Sequence, residues 1–212
     1  MKKLFLVISS ILISFFIIGA MPNQEKNLDS FNLLTTDLIE INNFIENGVR
    51  VEYSTKKNIN KEYDFIKNKF IETFGENIKL TNNSIEYNDD LKEVKAVFWS
   101  KNDTSYIRID YFNNNENIEV LEIRNILAEI INIKKEKVKY FDFIKLKIIE
   151  EEKDETKEII KNYIVDKEFL EVENGIIGKG ILKDNTKINI GYMQYDTGEY
   201  LIIGTPVIFV TY

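Results

Sequence analysis

The chain has 212 residues, of which 44% are hydrophobic and 12% aromatic, so it can bury the core of one large domain or two small ones. It carries 28 Lys and Arg against 35 Asp and Glu, and this net charge of −7 has the wrong sign for general nucleic-acid binding. Cysteine and histidine are absent. Disulfides, thiolate nucleophiles, Cys/His zinc sites and Ser-His-Asp triads are therefore excluded.

The N-terminus has the layout of a secretory signal. Lys2 and Lys3 precede an uncharged apolar run over residues 4–21, and polar sequence follows from Pro22. We predict a signal peptide over residues 1–20, with cleavage after Ala20. The run is also just long enough to span a bilayer, so an uncleaved anchor through residues 4–21 is the alternative. Either arrangement predicts an extracytoplasmic protein, secreted or membrane-anchored.

The first half of the remaining chain opens with two predicted helices around a strand. Apolar residues recur at helical spacing over residues 30–47, and Gly48 follows as a C-terminal cap. Residues 49–54 alternate in the manner of a half-buried strand. A second helix is predicted over residues 60–74, with Gly75 ending it. Three strands then follow, around residues 77–87, 93–100 and 105–112.

The second half repeats this order of patterns. Ile123, Leu127 and Ile130 predict an amphipathic helix, residues 138–143 a strand, and the stretch around Ile159 a further helix. The remaining strands are predicted over residues 175–183, 187–194 and 199–212, the last divided into two short strands at Thr205-Pro206.

This repetition predicts a tandem duplication. Residues 28–115 would form the first αβ half and residues 116–212 the second, each with the order helix, strand, helix and strand meander. We predict the α+β class, with a mainly antiparallel sheet that both halves share and helices on one face of it.

A chain of this length, duplicated in this way and ending in Gly204-Thr205-Pro206, an apolar strand and Tyr212, resembles the YwmB family. These are secreted proteins of low-GC Gram-positive bacteria. The resemblance covers nearly the whole chain and implies a fold similar to the TATA-box-binding protein, with two halves in one curved sheet and the helices on its convex side. It implies no catalytic residue, and it does not bring DNA binding with it, because function belongs to sites rather than to folds.

The candidate binding site is the stretch KYFDFIKLK, residues 139–147. As a strand it would place Lys139, Phe141, Phe143 and Lys145 on one side and Tyr140, Asp142, Ile144 and Leu146 on the other. Lysines beside aromatic rings on an open sheet face are typical of single-stranded nucleic-acid binders, but an exported acidic chain argues against nucleic acid. An anionic wall polymer, a glycan or a partner protein would fit these side chains, and an amphipathic strand with solubilising lysines is the simpler alternative.

Two other features of the sequence favour structural roles. Gly175, Gly178 and Gly180 superficially resemble a phosphate-binding loop, but strand-like sequence follows them, so we predict glycines at a bend or bulge. Trp99 lies on the same predicted strand face as Lys95 and Val97. It could stack on a sugar, although we expect it to fill the core.

Together these patterns predict an exported, non-enzymatic protein of the cell envelope, which binds a partner protein or a cell-wall component through an open sheet face. No catalytic residue, metal site or cofactor is predicted. A cell-wall hydrolase using paired carboxylates is one alternative. A regulatory subunit of a membrane complex is another.

Overall fold

The computed structural model describes residues 29–132 and 138–210, and within them four α-helices and ten β-strands. The predicted signal peptide and anchor, and Tyr212, lie outside these residues. The helices are α1 (Asp29–Ile41), α2 (Ile59–Phe74), α3 (Val120–Ile131) and α4 (Lys153–Tyr163), and a 3₁₀ turn (Glu150–Glu152) precedes α4. The strands are β1 (Asn43–Thr55), β2 (Lys79–Leu80), β3 (Ser84–Asn88), β4 (Lys92–Lys101), β5 (Thr104–Asn113), β6 (Lys139–Lys147), β7 (Ile164–Val172), β8 (Gly175–Leu182), β9 (Lys187–Tyr195) and β10 (Gly198–Thr205).

All ten strands form one open antiparallel sheet, in the order β2-β3-β4-β5-β1-β6-β10-β9-β8-β7. The α+β class with a large antiparallel sheet is therefore confirmed. Along the chain, the order helix, strand, helix and four strands occurs twice. The strand that begins each series, β1 or β6, lies at the centre of the sheet beside the other.

The helices pack on one face of the sheet. Val49, Val51 and Tyr53 alternate along β1 and are buried in the same hydrophobic cluster as Leu34 and Leu38 of α1. Since successive strand residues point to opposite faces, the residues between them lie on the other side. We call that side the helix-free face. Among the described residues, no helix is long and apolar enough to cross a membrane.

The predicted end of the first helix was wrong. Helix α1 ends at Ile41, six residues before the predicted limit at residue 47, and β1 begins at Asn43. The side chain of Asn42 donates to the carbonyl oxygen of Leu38 at 3.0 Å and to Oγ1 of Thr156 in α4 at 3.0 Å. The first bond satisfies a carbonyl at the helix end, and the second joins the turn to α4. From Asn43 onward, pairing with β6 keeps the chain extended.

Helix α2 was predicted correctly. The Asn58 side chain accepts a hydrogen bond from the amide of Asn60 at its start, and Gly75 ends it with φ of 86°. Strand β7 was missed, because the sequence pattern predicts no strand between the helix around Ile159 and residue 175. Residues 206–210 do not continue as a strand, in contrast to the prediction.

A buried ion pair joins α3 to the centre of the sheet. Arg124 donates from Nε to Oδ1 of Asp142 at 2.8 Å and from Nη2 to Oδ2, and the Asp142 side chain is fully buried. The Arg124 guanidinium also lies over the ring of Tyr140, 4.8 Å from its centroid. Burial raises the pKa of the Asp142 carboxyl, while the neighbouring Arg124 opposes that shift.

We expect Asp142→Ala to lower the free energy of unfolding by roughly 3–5 kcal/mol, because Arg124 would lose its buried partner. The double variant Arg124→Leu/Asp142→Leu should lose less unfolding free energy than the single variant, because it contains no unpaired buried charge. Urea denaturation of all three proteins measures both quantities. Equal losses in the two variants would contradict this account.

A second contact ties α4 to α1. The Tyr163 hydroxyl donates to Oδ2 of Asp37 at 2.6 Å, and this hydrogen bond raises the pKa of Tyr163 to about 12. An unperturbed tyrosine titrates near pH 10. Because the pKa is higher in the folded state, the stabilisation is complete below about pH 10 and is lost as the pH rises towards 12.

Replacing Tyr163 by Phe should therefore lower the free energy of unfolding by about 1 kcal/mol at pH 8. The difference from the wild type should shrink between about pH 10 and pH 12. Thermal or urea denaturation across that range tests the prediction, and a difference that stays constant with pH would argue against the hydrogen bond.

Candidate binding face

The predicted orientation of β6 is correct, but one of its four candidate residues is buried. Tyr140, Ile144 and Leu146 contact the helix-side core, as expected. Phe143 points to the helix-free face but has no exposed surface. It therefore cannot belong to an exposed recognition surface.

The C-terminal segment, residues 206–210, covers Phe143. After β10 the chain crosses back over the helix-free face, where the ring of Phe209 packs edge-on against Phe143 with centroids 5.1 Å apart. The Phe209 ring also lies 6.0 Å from the ring of Phe112. The guanidinium of Arg50 lies over the Phe209 ring, 4.5 Å from its centroid. Nδ2 of Asn189 donates to the carbonyl of Pro206 at the start of the segment.

Two glycines make room for this packing. A Cβ at Gly48 would lie 2.7 Å from the Phe143 ring, and a Cβ at Gly204 would lie 3.0 Å from the Ile208 side chain. Gly48 is thus a strand residue beneath an aromatic ring rather than the helix cap that its sequence context predicts. Together these contacts form a row across β5, β1, β6 and β10, and the C-terminal segment lies along it.

The covered row separates the other three candidate residues. Lys145 lies on one side of it, 3.8 Å from Oε1 of Glu46 and with its amine 5.8 Å from the Tyr200 ring. Lys139 and Phe141 lie on the other side, where Lys139 is exposed and Phe141 half-buried. The structure therefore keeps Lys139 and Phe141 together but places Lys145 apart from them.

Charges alternate along the row that contains Phe141. Across β3, β4, β5 and β1 the residues are Glu86, Lys95, Asp110 and Arg50, each opposite the next, and Phe141 on β6 completes the row. Arg50 donates to Asp110 from Nε at 2.6 Å and from Nη2 at 3.0 Å, and the Lys95 amine lies 2.7 Å from a Glu86 carboxylate oxygen. The hydrogen bond from Lys95 holds the pKa of Glu86 below its ordinary value. These cations are therefore neutralised within the sheet.

A stacked aromatic pair, with one ring exposed and the other half-buried, lies two rows further along the helix-free face. Trp99 on β4 is directly opposite Tyr106 on β5, and their rings stack at 5.6 Å with planes 9° apart. Trp99 remains 43% exposed. The prediction that Trp99 fills the core was wrong, because Val94, Ala96 and Phe98 supply the buried side of β4. We call Trp99 and Tyr106 the aromatic pair.

The aromatic pair shares its part of the sheet with Lys139. The row between the pair and Arg50 contains Val97, Arg108, Glu52 and Lys139, one from each of β4, β5, β1 and β6. This uncovered part of the helix-free face presents ring surfaces, aliphatic surface and side-chain cations. Such a mixture suits stacking and hydrogen bonding to a ligand rather than proton transfer.

A depression of about 320 Å³ lies on the other side of the covered row, and its lining includes Glu46, Asp89 and Glu93 beside Phe112. Burial would raise the pKa of Asp89, but hydrogen bonds from the Leu91 amide and other donors outweigh it and lower that pKa. A carboxyl group that acts as a general acid needs a raised pKa instead. Asp89 is thus held as a structural carboxylate of its turn.

Two glycines of β8 do not lie at the bend or bulge that the sequence predicts, but beneath neighbouring side chains of β7. Gly178 lies beneath the ring of Phe169, where an added Cβ would approach to 2.3 Å, and Gly180 lies beside Ile164. Both are inside a regular strand and are followed by more strand.

No protein-family model matches the chain, and a comparison with curated proteins gives no match. Among solved structures, the chain is similar to DynU16, a protein of the dynemicin biosynthetic locus, with a TM-score of 0.28 and 10% sequence identity. The match covers 74% of this chain and 86% of that one. A similarity this low carries no information on function, so the candidate site rests on its own geometry.

The role of the C-terminal segment can be tested at Phe209. We expect Phe209→Ala to lower the free energy of unfolding by roughly 1–3 kcal/mol, less than for a fully buried phenylalanine, because the variant uncovers Phe143 and removes the Arg50 contact. Val207→Ala, on the same segment, is the matched control and should cost less. Denaturant unfolding of both variants makes the comparison, and equal costs would contradict a specific role for Phe209.

Proposed function

We propose that the chain is an exported, non-enzymatic protein of the bacterial envelope, and that it binds a cell-wall glycan through the uncovered part of its helix-free face. The observation that carries this proposal is the aromatic pair, in which Trp99 is exposed and stacks on the half-buried Tyr106. Flat rings supply apolar contact to the faces of sugar rings, and tyrosine and tryptophan are enriched at binding interfaces. Lys139 and Phe141 extend the same surface.

Export is supported by the sequence of residues 1–20, with its basic start and apolar run. If that segment is retained, residues 4–21 would anchor the protein, and the binding face would then act at the membrane surface. A binding role without catalysis agrees with the paired state of Arg50, Lys95 and Asp110, whose charges are engaged with one another or with Glu86.

We further propose that the two halves, residues 28–115 and 116–212, arose by tandem duplication and form a curved sheet similar to that of the TATA-box-binding protein and the YwmB family. The repeated order of elements supports this, as does the strand order. From the central pair outward, β1-β5-β4-β3-β2 on one side corresponds to β6-β10-β9-β8-β7 on the other.

Trp99 is the one tryptophan of the chain, so its fluorescence reports on the proposed site directly. Titration of the chain lacking residues 1–20 with soluble cell-wall glycan fragments should change the emission saturably. Tyr106→Ala should weaken binding by about 2 kcal/mol, roughly thirtyfold in the dissociation constant, because an interface aromatic would be lost.

Sedimentation with isolated cell walls provides the second readout. Wild type should co-sediment, Trp99→Ala should stay in the supernatant, and Leu33→Ala, an exposed residue of α1 on the helix side, should behave as wild type. Binding that survives the loss of both rings would refute the proposed site. Release of soluble sugars from the walls would instead favour the alternative that the protein is a cell-wall hydrolase.

A further inference from the structure

Strand β7 leaves one edge of the sheet exposed over a long stretch. It pairs with β8 on one side and ends the strand order among the described residues, and residues 165–171 are all exposed. Its apolar side chains Val165, Phe169 and Leu170 are 63%, 49% and 63% exposed. The opposite edge, β2, has only two residues and includes Lys79. Short edges with lysine resist further pairing, whereas a nine-residue edge offers a template for another strand.

The turn between β7 and β8 determines which backbone groups of β7 are available. Two residues, Glu173 and Asn174, separate the closing pair Val172 and Gly175. The closing pair of a two-residue hairpin is a hydrogen-bonded pair, and hydrogen-bonded and non-hydrogen-bonded pairs alternate from there. Every second residue of β7 therefore directs its N–H and C=O towards the free edge. These residues are Glu171, Phe169 and Lys167.

The charges of β7 favour pairing with a second copy of itself in one register. Two antiparallel copies related by a two-fold axis at Phe169 would place Lys167 of each opposite Glu171 of the other, giving two ion pairs. Axes at Lys167, Glu168 or Glu171 would each place like charges directly opposite. An axis at Leu170 would shorten the ladder and bring Lys167 opposite a turn residue.

The position of the Phe169 ring leaves room for this pairing. The ring lies over Gly178 of β8, where an added Cβ would approach within 2.3 Å of it. The ring thus leans away from the free edge, and two copies of Phe169 can meet at the axis through their backbones. Leu170 and Glu168 would lie opposite each other on the helix-free face.

We propose that β7 pairs with β7 of a second copy of this chain, antiparallel about a two-fold axis at Phe169, so that two ten-stranded sheets become continuous. This inference goes beyond the proposed glycan binding and does not depend on it. The aromatic pair lies in the other half of the sheet, so each copy would keep its own binding face.

The chain contains no cysteine, so one introduced cysteine tests the register. Across a hydrogen-bonded antiparallel pair the Cα atoms are about 5.5 Å apart, within disulfide range. Under mild oxidation in intact cells, the full chain with Phe169→Cys should form a covalent dimer. Leu170→Cys is the matched control. Its diagonal separation from the second copy, about 7–8 Å, is too large, and it should cross-link at least about tenfold less.

Charge reversal provides an independent measurement. Lys167→Glu and Glu171→Lys should each raise the dimer dissociation constant of the full chain in nonionic detergent by about tenfold, and the double variant should return it to near the wild-type value. A folded Phe169→Cys chain that stays monomeric on oxidation would overturn the proposal. So would preferential cross-linking at Leu170→Cys, or a disulfide to a different polypeptide, which would assign the edge to another partner.

Discussion

The antiparallel pairing of β1 with β6 is the constraint on which the rest of the molecule depends, because it joins two five-stranded series into one sheet. The two faces of this central pair have opposite chemistry. On the helix side, Asp142 is buried and held by Arg124 from α3, which fixes a helix to the sheet centre. On the other side, Gly48 leaves space for the ring of Phe143. A second hydrophobic layer forms on that ring, and none of the described helices contributes to it.

That second layer decides where a ligand can bind. The helix-free face would be an open platform if the chain ended at β10, but residues 206–210 return across it and bury Phe143 beneath Phe209. The segment uses the row of the sheet where glycines replace larger side chains. The proposed recognition is thereby confined to rows that the segment leaves uncovered. Strand β6, which the sequence indicated as the binding site, mainly supports the segment.

Local periodicity predicted the elements that have one buried and one solvated side. Helix α2 and strands β4 and β5 follow their apolar spacing closely, whereas β7 is exposed on both faces and therefore has no alternation to detect. The burial of Phe143 depends on a segment more than sixty residues away in sequence. No pattern within residues 139–147 contains that information. Trp99 was the reverse case: its position on the same strand face as Lys95 indicated a solvated side chain, but its aromatic character favoured the core.

Electrostatics narrows the chemistry of the uncovered face. The chain carries a net charge of −7, and Arg50 and Lys95, the cations of the central row, already bind carboxylates. A polyanion approaching this protein would thus meet repulsion at long range, which salt screens beyond about 8 Å under physiological conditions. At contact it would meet the exposed Lys139, whereas both cations of the central row already bind carboxylates. A neutral sugar polymer meets no such barrier. Its affinity would come from ring stacking and hydrogen bonding at short range, which is what Trp99 and Tyr106 provide. The paired charges therefore favour a neutral glycan over an anionic wall polymer.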